Sequence, residues 1–329
     1  MNASSARPKM IVDCDPGHDD AVALLVAAHV ADIRGIVTVG GNADLDRTTH
    51  NALVMRDLIG IDAPVHRGCG HPIVAKSQYA PSIHGESGLD GADLPSPVTP
   101  LDGTDGVDFI IDTCRADEGI WLVPTGPLTN IGLALRRAPD IAHRIAGVSL
   151  MGGGSFGNRS AVAEFNIWAD PHAAAIVFET FDRGSPGPLG PVPGSLIMAG
   201  LDVTHRFQLT PERIARTGAL SGQLAEILTG LFEFFSGTYL SRHDAGTMSG
   251  AALHDPLAVL AVSHPELFER RHRHVVVETV GEHTAGMTVI DERKLLERSA
   301  PNCDVLVDVD ADAAFDIVIE AIQASAPRV

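Results

Sequence analysis

"MIVDCDPGHDDAVALL", residues 10–25, sets four aspartates (Asp13, Asp15, Asp19 and Asp20) within eight positions of an otherwise apolar stretch. Its first five residues read as a strand, Pro16 and Gly17 break it, and the run from Asp19 onward carries a helical pattern. A strand that turns at once into a helix is the opening of a βαβ unit. The same alternation continues: "IRGIVTVGG" precedes "RTTHNALVMRDLIG", "IWLVPTG" precedes "LTNIGLALRRA", and "IAGVSLMGG" follows. These units predict an α/β fold, an open and mostly parallel sheet with helices on both faces. Ligands of such sheets collect at the carboxyl ends of the strands. The motifs singled out below fall there or at the start of a helix.

Four like charges crowded into an apolar segment need compensation. The positive end of the helix accounts for one or two, since carboxylates favour the first turn. A bound cation would neutralise the rest. Carboxylate oxygens with no C-x-x-C or paired-His metal motif suit a hard ion, and three or more protein oxygens on one ion favour Ca²⁺ over the small octahedron of Mg²⁺. Two other segments can complete such a shell. "ALHDPLAVLAV" holds His254 and Asp255 just before Pro256, which suits the first helical position; Asp255 is either an ordinary helix cap or a ligand. "WLVPTGPLTN" ends a strand at Thr125 in an irregular turn whose carbonyls are free to meet a ligand.

The chain has 329 residues, 45% of them apolar, which is enough for a sizeable core, and 42 acidic against 24 basic residues leave a net charge of -18. That charge argues against nucleic acid or an anionic membrane as partner and for a small neutral or metal-bound ligand. Cysteines 14, 69, 114 and 303 are far apart, so reduced thiols are expected. No apolar signal core opens the chain and no run is long enough to span a bilayer, which predicts a cytoplasmic protein. One domain over residues 1–329 is expected, with residues 1–9 as a flexible N-terminus and "RGSPGPLGPVPG", 183–194, as a surface loop. Residues 77–100 and 236–250 read as loops able to close over a site.

Together these motifs resemble the nucleoside hydrolase family, the inosine-uridine preferring N-ribohydrolases. The resemblance runs through "DCDPGHDD" at 13–20, "VGGN" ending at Asn42, "VPTGPLTN" at 123–130, "MGGG" from Met151, "NRSAVAEFN" at 158–166 and "HDP" at 254–256. It implies a Rossmann-like nucleoside hydrolase fold with a tightly held Ca²⁺ bound by Asp15, Asp20, Asp255 and the Thr125 carbonyl. It further implies that Asp19, Asn42, Met151, Asn158, Glu164 and Asn166 hold the substrate, and that the protein is a homodimer or homotetramer. The residues agree, because two amides and a carboxylate in "NRSAVAEFN" can both donate to and accept from a diol.

Cleaving an N-glycosidic bond passes through an oxocarbenium-like cation, and needs a water nucleophile, negative charge near the sugar and help for the leaving base. Asp15, beside a water and diol held by calcium, reads as the general base, and Glu164 and Asn166 as groups that stabilise the cation. His254, next to a metal ligand and of a residue type that titrates near neutrality, reads as the general acid. His84 and Tyr239, one in each loop, are candidates for stacking on the base. Asp13 is expected to support the cluster by hydrogen bonding, while nothing in the sequence assigns a role to His18. Two other readings compete. A haloacid-dehalogenase-like Mg²⁺ phosphatase also begins with D-x-D, although Gly17 stands where its Thr or Val belongs. A non-catalytic nucleoside-binding protein would keep the pocket and lose the chemistry. The preferred base, purine or pyrimidine, is open.

Overall fold

The structure is a computed structural model that describes residues 7–182, 184, 187, 189–242, 248–294 and 299–325. Its strands are β1 (Lys9–Cys14), β2 (Asp32–Thr38), β3 (Val65–Arg67), β4 (Trp121–Pro124), β5 (Gly147–Met151), β6 (Ser195–Ala199), β7 (Gln208–Leu209), β8 (Ala251–Ala252), β9 (Phe268–Arg273), β10 (Val275–Val277), β11 (Thr288–Ile290) and β12 (Cys303–Val309). Eight form one sheet in the order β3-β2-β1-β4-β5-β6-β12-β9. Every neighbouring pair is parallel except β12 with the edge strand β9. The open, mostly parallel sheet read from the sequence is therefore present. β10 pairs with β11, and β7 with β8, as small antiparallel ribbons.

Strand order sets the site. From β1 the chain winds outward through β2 to β3, then returns to lay β4 on the other side of β1 and winds away through β5 and β6. The crevice at such a reversal lies off the carboxyl ends of β1 and β4. Asp13, next to last in β1, pairs there with Pro124, the last residue of β4.

Helices cover both faces. His18–Val30 packs against Pro256–Ser263 and Ala311–Ala324 on one side. Thr129–Arg137 packs against Gly106–Ala116 and Pro171–Thr180 on the other. Each face has its own apolar cluster. Residues 18–27 of the first helix are all buried, which explains an apolar run without a polar stripe: it is the central helix of a core.

Two expectations change. Lys9 already pairs with Asp32 in the sheet, and Pro8 accepts from Asp32 N at 2.9 Å, so the ordered chain starts earlier than residue 10; residues 1–6 lie outside those described. Residues 236–240 are not loop but the end of the helix Gln223–Leu240, because Phe232, Phe235 and Tyr239 continue its buried stripe. Residues 243–247 of that expected loop lie outside those described, as do residues 183, 185, 186 and 188 of the expected surface loop. The segment 77–100 is irregular apart from the single turn Pro81–His84. No described helix is long and apolar enough to cross a membrane, and all four cysteines are free.

Candidate active site

At the reversal point the acidic turn closes on itself. β1 carries Asp13 and is followed at once by Asp15, and the helix His18–Val30 delivers Asp19 and Asp20 in its first turn. Asp20 accepts from Gly17 N at 3.0 Å and from Asp15 N at 3.3 Å, so its carboxylate caps the helix it belongs to. Thr125, just past β4, donates its hydroxyl to Asp20 Oδ1 at 2.7 Å. Asp255 arrives from the start of Pro256–Ser263 and makes no capping hydrogen bond. The plain helix cap that the sequence allowed is therefore not what holds Asp255 here. Carboxylate oxygens of Asp19, Asp20 and Asp255 lie within 4.8 Å of one another.

Asp15 sits slightly apart from that trio. Its Oδ2 accepts from Asn42 N at 2.7 Å, and its Oδ1 is buried with no hydrogen-bond partner. Asp19 Oδ1 is likewise buried without a partner. Asp13 Oδ1 accepts from Asn130 Nδ2 at 2.7 Å, the supporting bond expected of it.

Burial disfavours charge on all of these groups, and their neighbours repel. Burial and then the Asp20 charge push Asp19 up to about 8. Burial pushes Asp13 up to about 7 despite the Asn130 bond. Asp15 and Asp255 rise well above the carboxylate range, from burial first and then repulsion by Asp20 and Asp19 respectively. Asp20 rises by burial against the pull of the Gly17 and Thr125 bonds. Among the described residues no lysine, arginine or histidine forms an ion pair with Asp15, Asp19, Asp20 or Asp255. A buried all-oxygen donor set, mutually repelling and with two carboxylate oxygens unbonded, fits a hard divalent cation.

Beside the cluster opens a cleft of about 470 Å³, a volume suited to a small molecule. Asp19, Asn42, His84, Thr125, Met151, Asn158, Glu164, Asn166, Tyr239, His254 and Asp255 all line it, while Asp15 and Asp20 lie behind. Several spend part of their hydrogen bonding on the protein. Asn42 Nδ2 donates to Asp15 O and to Asp20 Oδ2, both at 3.2 Å, and so braces the acidic turn. Asn166 Nδ2 donates to the Thr125 carbonyl at 2.7 Å and to Met151 O at 3.2 Å; its amide oxygen has no partner among the described residues. Asn158 Oδ1 accepts from Phe165 N at 2.9 Å, which leaves its amide NH₂ to the cleft. Glu164 caps Phe165–Ala169, accepting from Asn166 N at 2.9 Å, Gly153 N at 3.0 Å and Ile167 N at 3.2 Å, yet burial still lifts it to about 7.

His254 is held at both ring nitrogens, Nδ1 2.8 Å from Thr204 Oγ1 and Nε2 3.2 Å from Tyr239 Oη. Burial and then the Asp19 charge raise Tyr239, so its phenol stays protonated. Opposite, Tyr79, Ser82 and Ile83 join His84 from the segment 77–100. Sequence reasoning had passed over these three, and also Arg159, Phe235, Arg242 and the buttress Thr204. Arg159 lies inside the quoted "NRSAVAEFN", and Phe235 stands one helical turn before Tyr239, so both carried a signal; Thr204 carried none.

The sequence profile of the family described as "Inosine-uridine preferring nucleoside hydrolase" matches residues 10–316. A protein of Escherichia coli (strain SMS-3-5 / SECEC) described as pyrimidine-specific ribonucleoside hydrolase RihA is 37% identical over 319 residues, 95% of this chain and 98% of that protein. RihA of Photobacterium profundum is 38% identical over 322 residues, 96% of this chain and 99% of its own. Among solved structures, a purine-preferring ribonucleoside hydrolase from Gardnerella vaginalis superposes with a TM-score of 0.85 at 30% identity, over 96% of this chain and 98% of that one. These matches replace the phosphatase reading. With its acidic turn at the strand reversal and its relatives matched almost end to end, the chain belongs to the inosine-uridine preferring nucleoside hydrolase family, hydrolases of N-glycosyl bonds.

Proposed function

We propose that the protein is a calcium-dependent ribonucleoside hydrolase that prefers pyrimidine nucleosides, cleaving them to ribose and free base. The observation that carries this reading is the buried carboxylate trio Asp19, Asp20 and Asp255 at one end of a nucleoside-sized cleft. The pyrimidine preference is supported by the pyrimidine-specific relatives at 37% and 38% identity, against 30% for the purine-preferring structure.

In this reading Asp15, Asp20, Asp255 and the Thr125 carbonyl hold the ion. Bound there, calcium supplies a Lewis acid that lowers the pKa of a water and an anchor for the 2′ and 3′ hydroxyls. The chain's own groups do the rest. Asp15 Oδ1, with no hydrogen-bond partner, takes the proton of the attacking water as its oxygen bonds to C1′, a contribution of roughly 10²–10⁴-fold. As the C1′–N bond breaks, positive charge grows on the ribose. Asp19, Glu164 and the Asn166 oxygen line that part of the cleft and favour the cation over the neutral sugar. Asn42, Met151 and Asn158 complete the sugar's surroundings. His254, steadied by Thr204, delivers a proton to the leaving base, while His84 and Tyr239 flank that base. The chain works as one domain, assembles as a homodimer or homotetramer and serves cytoplasmic nucleoside salvage.

A reducing-sugar assay on uridine, cytidine, inosine and adenosine, with and without a chelator, tests this. Uridine and cytidine should be cleaved fastest, chelation should abolish turnover and added Ca²⁺ should restore it. Asp15→Ala should lose turnover, and ribose release unaffected by chelation or by that substitution would overturn the reading.

A further inference from the structure

We propose that His18 is a positioning residue: it seats the segment 79–92 on the acidic turn and holds the His84 ring against the base of the bound nucleoside. This role rests on the nucleoside hydrolase reading above.

His18 directly precedes Asp19 and Asp20, yet its ring lies against a different set of groups. It stacks on Phe235 with centroids 5.0 Å apart and planes 5° from parallel, on His84 at 5.4 Å and 24°, and on Phe234 at 5.6 Å and 12°. His18 Nε2 lies 2.8 Å from the Asp90 carbonyl. A carbonyl only accepts, so Nε2 is the donor. His18 Nδ1 faces His84 Nδ1 at 3.1 Å. One fully buried ring thus touches the turn that carries the carboxylates, the segment that carries His84, and the helix Gln223–Leu240 that carries Phe235 and Tyr239.

The other ties to the segment hold its backbone. Ala80 N donates to Asn42 O at 2.9 Å, Thr238 Oγ1 to Ile83 O at 2.8 Å and Arg242 Nε to Ser82 O at 3.1 Å. Asp90 folds its own turn by accepting from Glu86 N at 3.0 Å and Ser87 N at 3.2 Å. None of these bonds reaches the His84 ring, which is oriented by His18, by Phe235 at 5.5 Å and by Gly17, where a Cβ would overlap it. Removing the His18 ring frees one face of His84 and unhooks Asp90. A displacement of about 1 Å in a substrate-facing group can cost on the order of 10²-fold in rate.

The loss should depend on the leaving group. A nucleoside needs its base held and protonated; p-nitrophenyl ribofuranoside leaves as a stabilised phenolate and needs neither. The experiment compares kcat and KM on uridine and on this aryl riboside, at saturating Ca²⁺, for the wild type, His18→Leu and His18→Gln. His18→Leu should lower kcat/KM about 30-fold for uridine and at most about 3-fold for the aryl riboside. His18→Gln keeps a donor for Asp90 O without the ring that faces His84, so its selective loss should fall midway. If His18→Leu does not fold, that midway loss in His18→Gln decides alone. Equal losses on both substrates, or no loss, would overturn the role of His18 and leave the hydrolase reading intact. A wild type that releases ribose from neither substrate would overturn both.

Discussion

Gly41 and Gly126 stand on either side of Asp15, and each is a glycine for want of space. A Cβ on Gly41 would overlap Asp15 Oδ2, and one on Gly126 would press on Oδ1. Neither position has a positive φ, so sterics and not backbone freedom exclude a side chain. Gly41→Ala should therefore push the Asp15 carboxylate out of register and lower kcat about 10²-fold. The fold should hold, because the clash is with side-chain atoms, of Asp15 and of Pro127, and not with backbone. Steady-state kinetics beside a thermal melt separate the two effects; an unchanged kcat would mean that Asp15 can shift without cost. In the sequence Gly41 stands in "VGGN" and Gly126 in the irregular turn of "VPTGPLTN", and neither stretch reveals that Asp15 packs between them.

Two helices begin with the same Asp-Pro signature and use the aspartate differently. Asp170 opens Pro171–Thr180 and accepts from Ala173 N at 3.1 Å, Ile73 N at 2.9 Å and Thr129 Oγ1 at 2.7 Å. Asp255 opens Pro256–Ser263 and caps nothing. Asp170→Ala should cost about 2 kcal/mol or more, since it removes a cap and strands the buried Thr129 hydroxyl and the part-buried Ile73 N–H. Asp255→Ala should leave the metal-free protein as stable as before or more so, by removing a buried repelled charge, and should abolish stabilisation by Ca²⁺. Urea midpoints with and without the ion test both; a large metal-free loss for Asp255→Ala would show that it is structural.

Across the whole molecule the buried carboxylates couple stability to pH. Asp13 and Asp19, ordinarily near 3.8, are lifted to about 7 and about 8. The metal-free folded state then keeps protons that the unfolded chain has released. Its stability should be greatest toward the low end and fall as pH rises between about 5 and 8. A divalent cation held at the proposed site would favour the deprotonated cluster and should remove most of that slope. Melting temperatures of chelated and Ca²⁺-loaded protein across this range measure it; parallel curves would argue against an ion at the trio. Light scattering in the same buffers measures the proposed dimer or tetramer.

Much was legible locally. The period-2 and period-3.6 patterns are properties of adjacent residues, and β1, β2, β4 and β5 with the helices His18–Val30, Leu45–Ile59 and Thr129–Arg137 fell where those patterns put them, while Gly106–Ala116 was not read from the sequence. The acidic turn was legible too, because four charges beside an apolar run contradict burial unless something compensates them. Other features depended on groups far apart in the chain. That Asp255 leaves its own helix uncapped, that Asn42 braces carboxylates, that Tyr239 rides a helix and meets His254, and that His18 turns away to Asp90 and His84 are all set by packing across the strand reversal. Sequence by itself determined the alternating α/β chain and its concentration of charge, since both follow from short-range periodicity and composition. Only the tertiary structure decided which face each polar side chain meets, because those partners, tens to more than a hundred residues apart, become neighbours only once the sheet has closed its order around β1 and β4.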